Sequence, residues 1–246
     1  MKSPNMPQKK VMLVTNPVDI ITYLSFRESG FPRNRLFGMG NILDGMRFRT
    51  YIANELGVSR EDTRALVIGE HGDSMVPLVE YASVSGIPIT SLLSPEQINS
   101  IVNRTVTSGA DVIKLKGSTF YAPRAVIALT ADAIVTGRNS VMSVSTCLEG
   151  EYGTSDVSIG VPVVLGKDGV ERIVELNLSE KTKEKFLTSV SAVKAAILFL
   201  NPNGSLVFYV ALLVFNRILT RIKLKYNNVH PYRMDKSSKQ GRGQTS

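Results

Sequence analysis

The order in which short and long apolar stretches follow one another is what most restricts the fold of this chain. Residues 11–14, "VMLV", form a strand-length apolar run that feeds a turn at Asn16-Pro17 and then a helical pattern ending at Gly30. Asn16 suits the cap of that helix, Pro17 its first position, and Gly30 its end. "RLFGMGN" repeats the move, a strand at 35–38 running into the helical stretch "ILDGMRFRTYIANELGV" that stops near Gly57. A third strand, 65–69, leads into a loop. The alternation then ceases. Ser94, Pro95 and Gln97 make a capping box that opens a long helix to Lys116, and "TFYAPRAVIALTADAIVTG" follows as a second, mostly apolar helix. "SVMSVSTCLEG", "DVSIGVPVVLG" and "VERIVEL" read as strands, with Asp168-Gly169 marking a hairpin between the last two, and "SEKTKEKFLTSVSAVKAAI" as an amphipathic helix. Strand–helix alternation followed by helices and a meander gives a mixed α/β and α+β fold, not a complete doubly wound sheet.

Composition narrows the chemistry. The chain has 246 residues, 43% of them hydrophobic, enough for one sizeable core or two smaller ones. A single cysteine, Cys147, excludes an intramolecular disulfide and a cysteine-built metal site, and two histidines, His71 and His230, argue against a multi-histidine one. The net charge of +8 is concentrated at one end. Residues 217–246 hold eight basic residues and one acid, a net +7, which leaves +1 for residues 1–216. A near-neutral body with a basic tail does not indicate a nucleic-acid-binding protein, and aromatic residues are sparse within the tail. The start, "MKSPNMPQKK", has no apolar signal-peptide core, so a cytoplasmic location is expected. The run "LVFYVALLVF", 206–215, is ten residues, about half of the roughly 20 that span a bilayer.

Two stretches carry chemistry. In "LDGMRFR", Asp44 and Arg47 are three apart and share a helix face. That spacing fits a surface ion pair, and it equally fits an acid that orients a base beside a guanidinium that grips a carboxylate in a fork. In "VIGEHGDSMVPL", His71 lies between Gly69 and Gly72 in a loop after an apolar strand, where a rigid scaffold displays reactive groups. Its ordinary pKa near 6.5 suits proton transfer at neutral pH. A third stretch, "FGMGNIL", imitates a dinucleotide fingerprint through Gly38 and Gly40, but Leu43 stands where the third glycine belongs.

"VTNPVD", "LDGMRFR", "GEHGDSMVP" and "KGSTFYAP", taken in order, resemble successive signatures of the lactate/malate dehydrogenases, over roughly residues 3–197. The balance favours malate dehydrogenases built on the lactate-dehydrogenase plan. The resemblance implies an α/β (α+β) C-terminal catalytic domain with a remnant of the Rossmann sheet. Residues 1–38 would be the remnant of the nucleotide-binding domain, 39–200 the substrate-binding catalytic domain, and 201–246 an apolar, then basic tail, partly disordered. The implied activity is NAD- or NADP-dependent interconversion of a 2-hydroxy acid, malate ahead of lactate, and its 2-oxo acid, in carboxylic acid metabolism such as the tricarboxylic acid cycle.

By the same resemblance, His71 exchanges a proton with the substrate C2 oxygen and Asp44 pairs with it. Arg47 holds the C1 carboxylate, Asn16 contacts substrate and nicotinamide, and Thr119 lines the pocket wall. A homo-oligomer is implied, with a small-molecule acid as ligand and no nucleic acid.

The chain departs from the family pattern at both ends. It contains no GxGxxG and no ribose-binding acid after one, so its start is expected to fall inside the nucleotide-binding domain and its cofactor affinity to be weak or absent. The strands at 11–14, 35–38 and 65–69 would then leave a sheet edge unpaired and an apolar face uncovered. Residues after about 197 have no counterpart in the family. They fit read-through or mis-predicted coding sequence, an apolar helix covering exposed surface, or a membrane-surface element in which Arg217, Arg221, Lys223 and Lys225 follow the apolar run. A non-catalytic remnant that serves in subunit association, or in contact with a membrane or partner through the basic tail, is the alternative function.

Overall fold

A computed structural model describes residues 9–116 and 121–200. Thr119 and the whole of 201–246, with His230 and the basic tail, lie outside the described residues.

The first strand, β1 (Val11–Leu13), leads to helix α1 (Val18–Ser29), β2 (Leu36–Gly38) and α2 (Ile42–Leu56). Five two-residue strands follow: β3 (Thr63–Arg64), β4 (Val67–Ile68), β5 (Val76–Pro77), β6 (Ser83–Val84) and β7 (Ile87–Pro88). Helices α3 (Pro95–Lys116) and α4 (Tyr121–Thr136) precede the meander β8 (Ser140–Glu149), β9 (Ser155–Gly166) and β10 (Gly169–Ile173), and α5 (Glu180–Leu200) ends the described chain. Residues up to Ile197 gather into one compact unit.

Local signals account for most of the boundaries. Gly30 and Gly57 close α1 and α2 in the left-handed region, at φ +67° and +66°. The capping box forms: the Ser94 N–H donates to Gln97 Oε1 at 3.0 Å and the Gln97 N–H to Ser94 Oγ at 3.3 Å. Gly169, at φ +96°, pairs with Gly166 across the two-residue turn that joins β9 to β10.

The main sheet has the order β1-β2-β8-β9-β10. β1 and β2 run parallel, β2 meets β8 antiparallel at Gly38 opposite Ser145, and β8, β9 and β10 are antiparallel. Both faces of the β8–β9 ribbon are buried, but they differ. Val144 opposes Val161 and Met142 opposes Val163 on one face; Ser143 opposes Pro162, Ser145 opposes Gly160 and Cys147 opposes Ser158 on the other. The face of small residues lets other backbone approach, and α1 packs on both strands. A second apolar cluster centres on Phe48, Ile52, Val67, Ile89 and Ile101, where α2 meets α3 and the short strands. Together these burials dominate the folding free energy, at roughly 1.5–3 kcal/mol for each large side chain.

Two expectations are corrected. Asn16 does not cap α1: Pro17 holds the N-cap position with no side-chain cap, after a cis Asn16-Pro17 peptide, and Asn16 is exposed. Residues 65–69 do not form one strand of the main sheet. β4 pairs with β5 in a separate hairpin, because Gly69 turns the chain at φ +91°. It reaches the sheet only through reciprocal bonds, Gly69 N–H to Gly160 O at 2.9 Å and Gly160 N–H to Gly69 O at 3.0 Å. β1 is the terminal strand of the sheet among the described residues. No described helix is long and apolar enough to cross a membrane.

Candidate active site

Asp44 sits in the first turn of α2, where the unpaired N–H groups at the helix start favour a negative charge. Its side chain is fully buried, and the two carboxylate oxygens have different partners. Oδ2 lies 2.6 Å from His71 Nδ1, and Oδ1 accepts from Arg47 Nη1 at 3.2 Å. The side chains of His71 and Arg47 are 11% and 15% exposed, so each keeps a small opening while Asp44 has none. Such a buried set holds only because every charge is paired; removing the carboxylate would leave a desolvated guanidinium.

The loop carrying His71 is tied down from several sides. Asn41, immediately before α2, donates through Nδ2 to the Glu70 carbonyl at 3.2 Å. The Glu70 N–H donates to Ser189 Oγ of α5 at 2.7 Å, and Ser74 Oγ donates to Glu70 Oε2 at 2.5 Å. The His71 N–H donates to Asp19 Oδ2 of α1 at 2.7 Å. Space is tight here: a Cβ on Gly160 would run into Asn41 Oδ1 and would come within 2.8 Å of the Gly69 carbonyl.

Electrostatics follow from this packing. Burial works to lower the pKa of His71, but the hydrogen bond and charge of Asp44, joined by the charge of Asp19, outweigh it and the opposing Arg47, so the imidazole pKa is raised above 6.5. Asp19 is 3% exposed, and burial pushes its carboxyl up to about 6 against the lowering effects of nearby Ser145 and the His71 N–H. Its Oδ1 has no hydrogen-bond partner of ordinary length in the protein. Cys147 is buried and its thiol is pushed up to about 11, chiefly by burial.

The structure therefore brings His71, Asp44 and Arg47 together. Among the described residues no hydrogen bond joins Asn16 to any of the three, and Asn16 is exposed. Thr119 is outside the described residues. Asp19 and Asn41 are additions. Asp19 stood in the quoted "VTNPVD", but a lone acid at a helix start reads as a dipole partner. Asn41 lay within the glycine-rich stretch that imitates a fingerprint.

In that stretch the glycines answer to the chain's own packing. A Cβ on Gly38 would meet Thr22 Oγ1 at 2.5 Å, and one on Gly40 would overlap the Ser145 backbone. Both glycines are needed because the chain's own atoms stand where a Cβ would be.

Residues 42–199 match the family model for the lactate/malate dehydrogenase, alpha/beta C-terminal domain. The chain is 43% identical over 190 residues to a malate dehydrogenase of Shouchella clausii, covering 76% of this chain and 60% of that protein. With a malate dehydrogenase of Chloroherpeton thalassium it shares 46% identity over 195 residues, 78% of this chain and 62% of that one. The solved malate dehydrogenase of Aeropyrum pernix superposes with a TM-score of 0.76 at 43% identity, covering 78% of this chain and 65% of that one. The chain thus spans about three-fifths of the length of the curated relatives it matches.

Proposed function

The chain belongs to the lactate/malate dehydrogenase family, and on that premise we propose that it carries the substrate-binding and proton-transfer half of a malate dehydrogenase-like oxidoreductase. The reaction is the NAD(P)-dependent interconversion of a 2-hydroxy acid, malate ahead of lactate, and its 2-oxo acid. The observation that carries the reading is the 2.6 Å contact of His71 Nδ1 with Asp44, whose other oxygen meets Arg47.

With Nδ1 engaged, Nε2 is the atom that exchanges the proton. In reduction the imidazolium gives its Nε2 proton to the C2 oxygen, and Asp44 holds the positive ring until it does so. In oxidation the neutral ring takes the hydroxyl proton. Arg47 binds the C1 carboxylate, which favours 2-oxo and 2-hydroxy acids over neutral ketones. Asn16 and Thr119 complete the substrate contacts in this proposal, with residues 1–38 as the remnant of the nucleotide-binding domain, 39–200 as the catalytic domain and 201–246 as a tail. The steps assigned to this chain's described residues are substrate binding and proton transfer. A homo-oligomer that binds a small 2-hydroxy or 2-oxo acid fits this reading.

The test is oxaloacetate reduction with NADH and with NADPH. The chain is assayed alone and mixed with the N-terminal portion of a relative that it does not match. Turnover in the mixture is expected. A folded chain that stays silent in both would favour the second reading, a non-catalytic role in subunit association.

A further inference from the structure

Asp44 is not the only carboxylate directed at His71. Asp19 reaches the same residue from a different element and at a different atom, its backbone N–H, at 2.7 Å. It does so from the first turn of α1 while almost wholly enclosed. An enclosed carboxylate is costly unless its charge is used. Around Asp19 the groups are Ser145 from β8 and Glu70 and His71 from the loop after β4; around His71 they are Asp44 and Arg47 from α2 and Asp19 from α1. Apart from the His71 imidazole, no cation stands among the groups acting on Asp19.

We propose that Asp19 is a positioning residue for proton transfer: it anchors the His71 loop to α1 by accepting the His71 N–H, and its negative charge supports the imidazolium independently of Asp44. This rests on the reading of His71 as the proton-transfer group. Because the charge on Asp19 and the charge on His71 favour each other, loss of a proton from the carboxyl makes the ring a stronger base. The hydrogen bond alone would not do this, since an amide oxygen accepts an N–H equally well in geometry.

The experiment is NMR titration of the full chain, following the carboxyl carbon of Asp19 and the imidazole of His71; with two histidines in the chain, His230→Gln assigns the second ring. In the unsubstituted protein the Asp19 carboxyl should titrate near pH 6, and the His71 amide resonance should move with it. Asp19→Asn keeps an acceptor and removes the charge; it should abolish that step and shift the His71 midpoint to lower pH. Asp19→Ala should do both and also speed exchange of the His71 amide. A His71 midpoint unchanged in Asp19→Asn overturns the proposal. If the variants do not fold, an unsubstituted chain whose His71 amide ignores the Asp19 titration overturns it equally. These readouts do not need turnover. A shifted midpoint in a chain that reduces no oxaloacetate even in the mixture would uphold the coupling of Asp19 to His71 and sink the proposed activity, and the converse result would do the opposite.

Discussion

The ring of His71 and the carboxylate of Asp44, 27 residues apart in sequence, meet at 2.6 Å, and the carboxylate has no exposure to water. A short contact in a dry setting makes the carboxylate's charge act strongly on the ring.

Asp44→Asn should therefore lower the His71 pKa below its present raised position, since burial would then act with less opposition. In a reconstituted enzyme, kcat for oxaloacetate reduction should fall by about 10²–10⁴-fold, the range for loss of a group orienting a catalytic base. Retained activity with an unmoved His71 titration would refute the pairing.

Arg47→Lys keeps the charge and loses the planar fork. KM for the 2-oxo acid should rise by about 10–100-fold, as one good charge-assisted hydrogen bond is worth roughly 1.5–3 kcal/mol. Steady-state kinetics on the reconstituted enzyme measure this, and an unchanged KM would place the substrate carboxylate elsewhere.

Stability should decline as pH rises through the weakly acidic range. The folded-state pKa of Asp19, about 6, lies above its ordinary 3.8, so its contribution is complete below 3.8 and is lost as pH rises through about 6. His71 is also raised, so its contribution is complete below 6.5 and is lost as pH passes its higher folded value. Urea midpoints should drop between about pH 4 and 6 by an amount equivalent to up to about 3 kcal/mol from Asp19 alone, and that part of the slope should vanish in Asp19→Asn.

Gly160→Ala places a methyl group against Asn41 Oδ1 and the Gly69 carbonyl, two atoms that fix the root of the His71 loop. Destabilisation of about 1–3 kcal/mol is expected from overpacking, with a displaced His71 titration. Thermal unfolding and the same NMR titration check it. A neutral result would mean that Asn41 has room to move.

Ser94→Ala removes one side of a capping box whose two bonds are formed, and should cost about 1 kcal/mol with the His71 titration unchanged. An unaltered denaturation midpoint would show that α3 is held by its packing alone.

Much of this was legible in the residues. Ser94 with Gln97, Gly30, Gly57 and the Asp168-Gly169 turn each act through local backbone chemistry, and each lies where its element begins or ends. Asp44 and Arg47 share a helix face by spacing alone, although only the fold brings His71 to them. What could not be read was non-local. The bond from His71 to Asp19 spans 52 residues, and nothing near Asp19 in sequence signals it. β4 pairs with β5 outside the main sheet, and the chain meets that sheet only where Gly69 turns to bridge Gly160, which no period in residues 65–69 foretells. Gly38 and Gly40 imitate a phosphate loop because both uses of glycine, admitting a ligand and admitting one's own chain, leave the same letter.

Gly69 and Gly160 exchange both of their backbone bonds, and Gly160 lies mid-way along β9, the longest strand among the described residues. The chemistry-bearing loop is thus riveted at its root to the β8–β9 ribbon. Heat or denaturant should not strip away its geometry in advance of everything else; the site and the scaffold should fail in one event.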